Sequence, residues 1–101
     1  MYGLKESDVN YIIKQVQKID DIEKVSIFGS RAKCTYRENS DIDIVVYGTN
    51  INKSLLYKLY ELLEENAPYP FFVDIVHYES SDEILRKEVD LNSIVIYEGI
   101  N

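Results

Sequence analysis

A single cysteine and a single histidine, Cys34 and His77, are all the thiol and imidazole that 101 residues offer. One thiol cannot close an internal disulfide, and one thiol with one imidazole cannot build a zinc cluster. Cys34 has no base near it in sequence, so it reads as a residue that packs or fills a turn, not as a nucleophile. Basic residues are also few: 11 Lys and Arg stand against 18 Asp and Glu, for a formal charge of −7. That argues against a broad basic face that grips nucleic acid, so direct nucleic-acid binding is not expected. An acidic chain can still bind a nucleotide when divalent metal neutralises both sides. No apolar run approaches the roughly 18 residues of a membrane span. Met1 to Asn10 is polar and lacks the apolar centre of a signal peptide. No membrane association is expected, and the expected location is the cytoplasm.

What is present suits one small globular domain, expected to span residues 1–101. The hydrophobic share is 46%, too high for a disordered chain. Little length remains for a separate substrate-binding domain. Val9, Ile12, Ile13, Val16 and Ile19 recur at helical spacing after a candidate cap, Ser7, and Asp20–Asp21 are expected to end that helix. Val25 to Phe28 reads as a short strand that stops at Gly29–Ser30. Residues 30 to 40 are polar and mix short-helix formers with turn formers. Ile42 to Tyr47 is rich in β-branched residues and reads as a second strand. Leu55, Leu56, Leu59, Leu62 and Leu63 mark a helix from Lys53 to about Asn66, stopped by Pro68 and Pro70. Phe71 to Val76 is nearly continuous in apolar residues and is expected to be a central strand. Ser80 to Glu83 resembles a capping box for a helix to about Asp90, and Ser93 to Tyr97 predicts a last short strand. The expected fold class is α/β (α+β): a small mixed sheet of three to four strands covered by helices.

One stretch departs from ordinary core and surface. It runs Phe28-Gly29-Ser30-Arg31-Ala32, continues to Ser40, and closes on Asp41-Ile42-Asp43. Residues i and i+2 of a strand share a face, so Asp41 and Asp43 repel one another unless solvent or a cation relieves them. Magnesium is a hard ion that takes carboxylate oxygens and keeps positions open for phosphate oxygens. On its own an Asp-x-Asp pair also suits a solvated strand end. Gly29 allows the backbone to approach a ligand closely, and Ser30 can offer an N–H and a hydroxyl to phosphate. Arg31 and Lys33 add positive charge beside it. If the first two strands run antiparallel, this cradle lies against Asp41 and Asp43. Asp74, set among Phe72, Val73, Ile75 and Val76, is costly on a strand unless something pairs with it. It can reach the same metals from a neighbouring strand and can take an acceptor's proton. A structural aspartate satisfied by backbone N–H groups is the other reading. His77, three residues on, falls on the opposite face and reads as a strand-end residue.

Gly29-Ser30, ten residues from Arg31 to Ser40, and Asp41-x-Asp43 together resemble the signature of the DNA polymerase β-like nucleotidyltransferase superfamily. Phe28, Arg31-Ala32, Ser40 and the later Asp74 agree with it. Within it, the chain is most similar to the minimal nucleotidyltransferases (MNT), short domains often paired with a HEPN partner. The resemblance implies a polymerase β-like fold. It implies that Asp41 and Asp43 bind two magnesium ions, with Asp74 completing the site as base. It implies that Gly29 and Ser30 hold the β- and γ-phosphates of ATP or another nucleoside triphosphate, with Arg31 and Lys33 as basic neighbours. It also implies transfer of a nucleoside monophosphate, AMP above all, to a hydroxyl. The acceptor would be a tyrosine of a HEPN-type toxin, with this chain as the antitoxin. A homodimer or hetero-oligomer is compatible with that. Two alternatives stay open: an antitoxin that neutralises a HEPN ribonuclease by contact alone, through a surface built from some of nine tyrosines, and the catalytic subunit of a small-molecule, antibiotic-type nucleotidyltransferase. Cys34 departs from the family, which often has glycine there. If that position needs positive φ, cysteine is strained in it.

Overall fold

Three helices and four short strands follow one another as α1–β1–β2–α2–β3–α3–β4, described over residues 2–37 and 40–99 of a computed structural model. Met1, Glu38, Asn39, Ile100 and Asn101 lie outside the described residues, so two positions near the end of the spacer from Arg31 to Ser40 do too. Helix α1 spans Glu6–Val16. Its start is not capped by Ser7: the Lys5 N–H donates to the Asp8 carboxylate at 3.1 Å, and Ser7 sits inside the first turn. The helix also stops short of Asp20–Asp21. After Val16 the chain tightens, with Lys18 N–H donating to the Gln15 carbonyl and Ile19 N–H to that of Val16. That tightening turns Ile19 and Ile22 into the core.

Strand β1 (Lys24–Phe28) pairs antiparallel with β2 (Ile42–Tyr47). Helix α2 (Lys53–Glu64) starts where Asn52 Oδ1 accepts from the Leu55 N–H at 2.9 Å. It carries the chain back so that β3 (Val73–His77) runs parallel to β2, a connection that two parallel neighbours require. A 3-10 turn at Tyr78–Ser80 leads to α3 (Glu83–Leu91), capped by the Asp82 carboxylate on the Leu85 N–H at 2.8 Å. Strand β4 (Ile94–Glu98) then pairs antiparallel with β1. The result is the expected α+β class with a mixed four-stranded sheet, in the order β3-β2-β1-β4.

One expectation about the sheet is overturned. β3 lies at the edge, not the centre. Its apolar run reflects cover on its two faces: Val73 packs into the main core beneath the helices, while Val76 joins Phe28, Val45 and Val89 on the other face. Facial burial and central pairing are separate properties, and only the first leaves a mark in composition.

The main core lies between one face of the sheet and helices α1 and α2. Ile12 and Val16 of α1 and Leu59 and Leu63 of α2 meet Val25, Ile27, Ile44 and Val46 there. Alternation along β2 therefore turns Asp43 and Val45 to the opposite face, which α3 covers only through Val89 and Leu85. Most tyrosines do packing work. Tyr47 stacks on Tyr78 at 4.7 Å between ring centroids, and Tyr11 meets Tyr69 edge-on at 6.0 Å. Tyr57 and Tyr60 of α2 are exposed. Among the described residues, no helix is long and apolar enough to cross a membrane.

Candidate active site

The lightly covered face carries the acidic residues at one end of the sheet. The antiparallel register pairs Phe28 of β1 with Asp43 of β2, so Gly29 follows directly beside that aspartate. The parallel register pairs Asp43 with Asp74 of β3. Neighbouring strands are about 4.8 Å apart, and register partners project to one face. The two carboxylates thus stand side by side, with residues from three strands gathered at one rim.

Gly29 has a φ of +74°, a left-handed conformation that an L side chain resists. A Cβ built there would lie 2.5 Å from Asp43 Oδ2 and 3.2 Å from its Cγ. Two demands thus fall on one residue: the chain must turn sharply, and it must let a carboxylate lie against the backbone. Residues 30–34 form turns with no helix. Lys33 N–H donates to the Gly29 carbonyl at 3.2 Å, and Thr35 N–H to that of Ser30 at 3.0 Å. Among the described residues, no acceptor takes the N–H of Ser30 or Ala32, and those donors suit an anion.

Asp43 is half-buried. Burial pushes its pKa above the ordinary carboxylate value, and the charges of Asp74 and Asp41 push it further; Arg31 opposes them. Asp41 is exposed and turned aside: its Oδ1 accepts from the Phe72 N–H at 3.2 Å. Accordingly, among the described residues no three acidic, histidine or cysteine side chains are drawn together tightly enough to hold a metal. The donor set nevertheless fits magnesium, because a half-buried carboxylate repelled by two others is relieved by a hard divalent cation. Asp41 would have to leave the Phe72 amide to join it.

The two basic candidates are placed differently. Arg31 is buried, with 1% of its surface exposed. Its guanidinium donates to the Tyr2 carbonyl at 3.0 Å and to the Ser40 carbonyl, and lies over the Phe71 ring at 4.5 Å. It ties the start of the loop to the residue before Asp41 and to the N-terminal segment. Burial lowers its pKa, against the pull of Tyr36 and the neighbouring aspartates. Lys33 is exposed on the loop and pairs with Glu88 of α3. His77 is a strand-end residue as expected: Nε2 lies 2.7 Å from the Gly48 carbonyl and Nδ1 3.0 Å from Ser80 Oγ.

The family model described as "Polymerase beta, Nucleotidyltransferase" matches residues 10–99. The chain belongs to that family. Among solved structures, this nucleotidyltransferase is similar to a chain of a toxin–antitoxin complex crystallised with AMP-PNP, at 26% identity and a TM-score of 0.77, over 91% of this chain and 74% of that one. It shares its fold with a chain of the MntA–HepT toxin–antitoxin complex, at 22% identity and a TM-score of 0.71, over 94% and 74%. It also shares its fold with a chain of the tri-AMPylated Shewanella oneidensis HEPN toxin in complex with MNT antitoxin, at 21% identity and a TM-score of 0.72, over 95% and 74%. Among curated proteins, none matches this chain.

Two residues of this nucleotidyltransferase escaped the sequence reading. Glu88, on a helix far along the chain, has no local signal linking it to Lys33. Phe72 did have one: in a Phe-Phe pair leading into a strand, alternation sends one ring inward and the other out.

Proposed function

We propose that this domain transfers AMP from ATP to a hydroxyl, and that the hydroxyl is a tyrosine of a HEPN-type toxin which the chain thereby silences as its antitoxin. The register pairing of Asp43 with Asp74, with Gly29 pressed against Asp43, is the observation that carries this reading. A pure binding surface has no use for repelling carboxylates beside a glycine-tight turn.

In this reading Asp41, Asp43 and Asp74 would hold two magnesium ions. When bound, they neutralise phosphate charge and lower the pKa of the attacking hydroxyl. The chain's own groups do the rest. The turn N–H groups and hydroxyl of Ser30, beside Gly29, bind the β- and γ-phosphates. Lys33 moves from Glu88 to the phosphates, and Arg31 holds the loop's shape from beneath. The acceptor oxygen forms a bond to the α-phosphorus. The bond from that phosphorus to the bridging oxygen breaks, pyrophosphate leaves with the electron pair, and the acceptor's proton passes to the Asp74 carboxylate. The similarity to a chain crystallised with AMP-PNP in a toxin–antitoxin complex supports nucleotide as substrate and a protein as partner. The domain acts in the cytoplasm in this account.

Neutralisation by contact alone is the second reading, favoured by the exposed rings of Tyr57 and Tyr60. One experiment separates the two. The chain is incubated with its co-encoded partner, magnesium and labelled ATP, and the partner is weighed by mass spectrometry. An added AMP that disappears in Asp43→Asn is the expected result. A stable complex whose partner gains no mass favours contact alone, and labelling undiminished in Asp43→Asn rejects the site.

A further inference from the structure

Two phenylalanines lead into β3 and part company. Phe71 is half-buried, stacked on Tyr69 at 5.3 Å and lying against Arg31. Phe72 is 64% exposed. The alternation that sends Val73 into the core and Asp74 to the other face sets Phe72 on the face of Asp74. One dipeptide step, about 6.6 Å, separates the two.

The backbone of Phe72 is pinned on both sides. Its carbonyl accepts from the Ile42 N–H at 2.9 Å, and its N–H donates to Asp41 Oδ1 at 3.2 Å. The ring itself does no packing for the core, while its backbone is tied to the residues that open β2.

Across the rim the order is Gly29-Ser30 after β1, then Asp43 on β2, then Asp74 on β3. In phosphoryl and nucleotidyl transfer the attacking and leaving oxygens lie roughly in line, on opposite sides of the phosphorus. With the leaving phosphates over the Gly-Ser turn, the acceptor comes from the β3 side. Phe72 is the exposed ring that leads directly into β3 on that side, and the exposed rings of Tyr57 and Tyr60 on α2 line the cleft along Val73, Asp74 and Ile75.

We propose that Phe72 positions the acceptor, stacking on the ring of a phenolic substrate so that a phenol, and not an aliphatic alcohol, reaches Asp74. This rests on the transferase reading above. A phenol is flat and long. With its body on Phe72, its hydroxyl lies one dipeptide step along the strand, at Asp74. The hydroxyl of serine is one bond from its Cβ, so a serine at Asp74 leaves Phe72 uncovered. The phenolic oxygen bonds to the α-phosphorus, pyrophosphate leaves with the bridging electron pair, and the phenolic proton goes to Asp74. Offset or edge-on ring pairs favour binding beyond the area they bury.

The test uses the full chain, isotope-labelled, with magnesium and AMP-PNP, titrated with N-acetyl-tyrosinamide or N-acetyl-serinamide and followed by NMR. The tyrosyl probe is expected to shift the Phe72 ring and Asp74 amide signals saturably, and the seryl probe to leave them in place. Phe72→Ala and Phe72→Leu weaken tyrosyl binding about three- to tenfold, and Phe72→Trp restores it. Equal response to both probes, no response at residues 72 and 74, or binding unchanged in Phe72→Ala overturns the proposal. Replacing AMP-PNP with ATP scores transfer separately. The expected change is a raised KM for the tyrosyl acceptor in Phe72→Ala, with kcat and nucleotide affinity close to wild type. An identical KM overturns the role of Phe72 alone. Absence of AMP on any hydroxyl, despite tyrosyl binding at Phe72, overturns the transferase reading and leaves the binding result standing.

Discussion

The carboxylate of Asp43 lies where a side chain on Gly29 would begin: a Cβ at residue 29 would sit 2.5 Å from Asp43 Oδ2. The end of β1 and the start of β2 thus share one small volume. Whatever occupies the rim meets backbone on one side and a half-buried carboxylate on the other.

Gly29→Ala tests that contact. The left-handed φ of +74° costs an L residue about 1–2 kcal/mol, before any displacement of Asp43. Urea unfolding is expected to show a loss of about 1–3 kcal/mol. Titration with AMP-PNP and magnesium is expected to show weakened nucleotide binding, because the new methyl group pushes Asp43 aside. Unchanged stability and affinity would remove the glycine from the site.

The raised pKa of Asp43 sets a pH dependence whose sign is definite. An acid whose folded pKa exceeds its unfolded value favours folding only while it is protonated. Its contribution is complete below the ordinary carboxylate pKa, about 4, and is lost as pH rises through the higher folded value. Asp43→Asn should therefore stabilise the metal-free chain at neutral pH, and the gain should vanish below about pH 4. Magnesium with ATP should raise the Tm of the wild type by mass action and leave that of Asp43→Asn nearly unmoved. Thermal melts across pH, with and without the ions, check both statements. A variant destabilised at neutral pH without metal contradicts the sign.

Cys34 stands at φ +60°, a left-handed conformation that strains a residue carrying a Cβ. Removing the Cβ relieves about 1–2 kcal/mol, offset in part by the greater freedom of glycine in the unfolded chain. Cys34→Gly is expected to stabilise the protein by about 0.5–1 kcal/mol, read as a higher urea midpoint at constant slope. A lower midpoint would mean that the exposed thiol holds the turn in some other way.

Arg31 makes the loop's strongest attachment, so its replacement should act on stability first. Arg31→Lys keeps a charge but loses the planar head that reaches the Tyr2 and Ser40 carbonyls at once and lies over Phe71. A loss of about 2–4 kcal/mol is expected, since a buried charge is left poorly paired. Nucleotide affinity falls with it because Ser40 no longer holds Asp41 in place. If affinity collapses while the urea midpoint stays put, Arg31 meets the nucleotide directly.

Much of this was readable in one dimension because it depends on local rules. The two-residue period sets Asp43 opposite to Ile42 and Ile44, whereas Asp41, one residue before β2, escapes that rule and turns to the Phe72 amide. Ile42 to Tyr47 could hardly be anything but a strand, and the polar run Ser80 to Glu83 marks the start of α3, although the cap is Asp82 and not Ser80. The start of α1 was misread because three polar residues in a row, Lys5 to Ser7, all tolerate the boundary. The choice fell to Asp8, whose carboxylate reaches back to Lys5. The edge position of β3 was misread because composition reports cover on faces and is silent about neighbours.

The residue types and spacings alone established the family resemblance and the α+β class, and marked Asp41 and Asp43 as candidates. The three-dimensional fold alone decided that Asp74 is the register partner of Asp43, that Arg31 is buried beneath its loop while Lys33 is tied to Glu88, and that Phe72 is exposed while Phe71 is half-buried. The division has a physical cause. Periodicity, capping and backbone strain act between residues a few positions apart and are written into short stretches of chain. Strand order, register and the depth of a side chain are set by packing between stretches that are distant in sequence, where many arrangements suit the same pattern and only the whole core selects one.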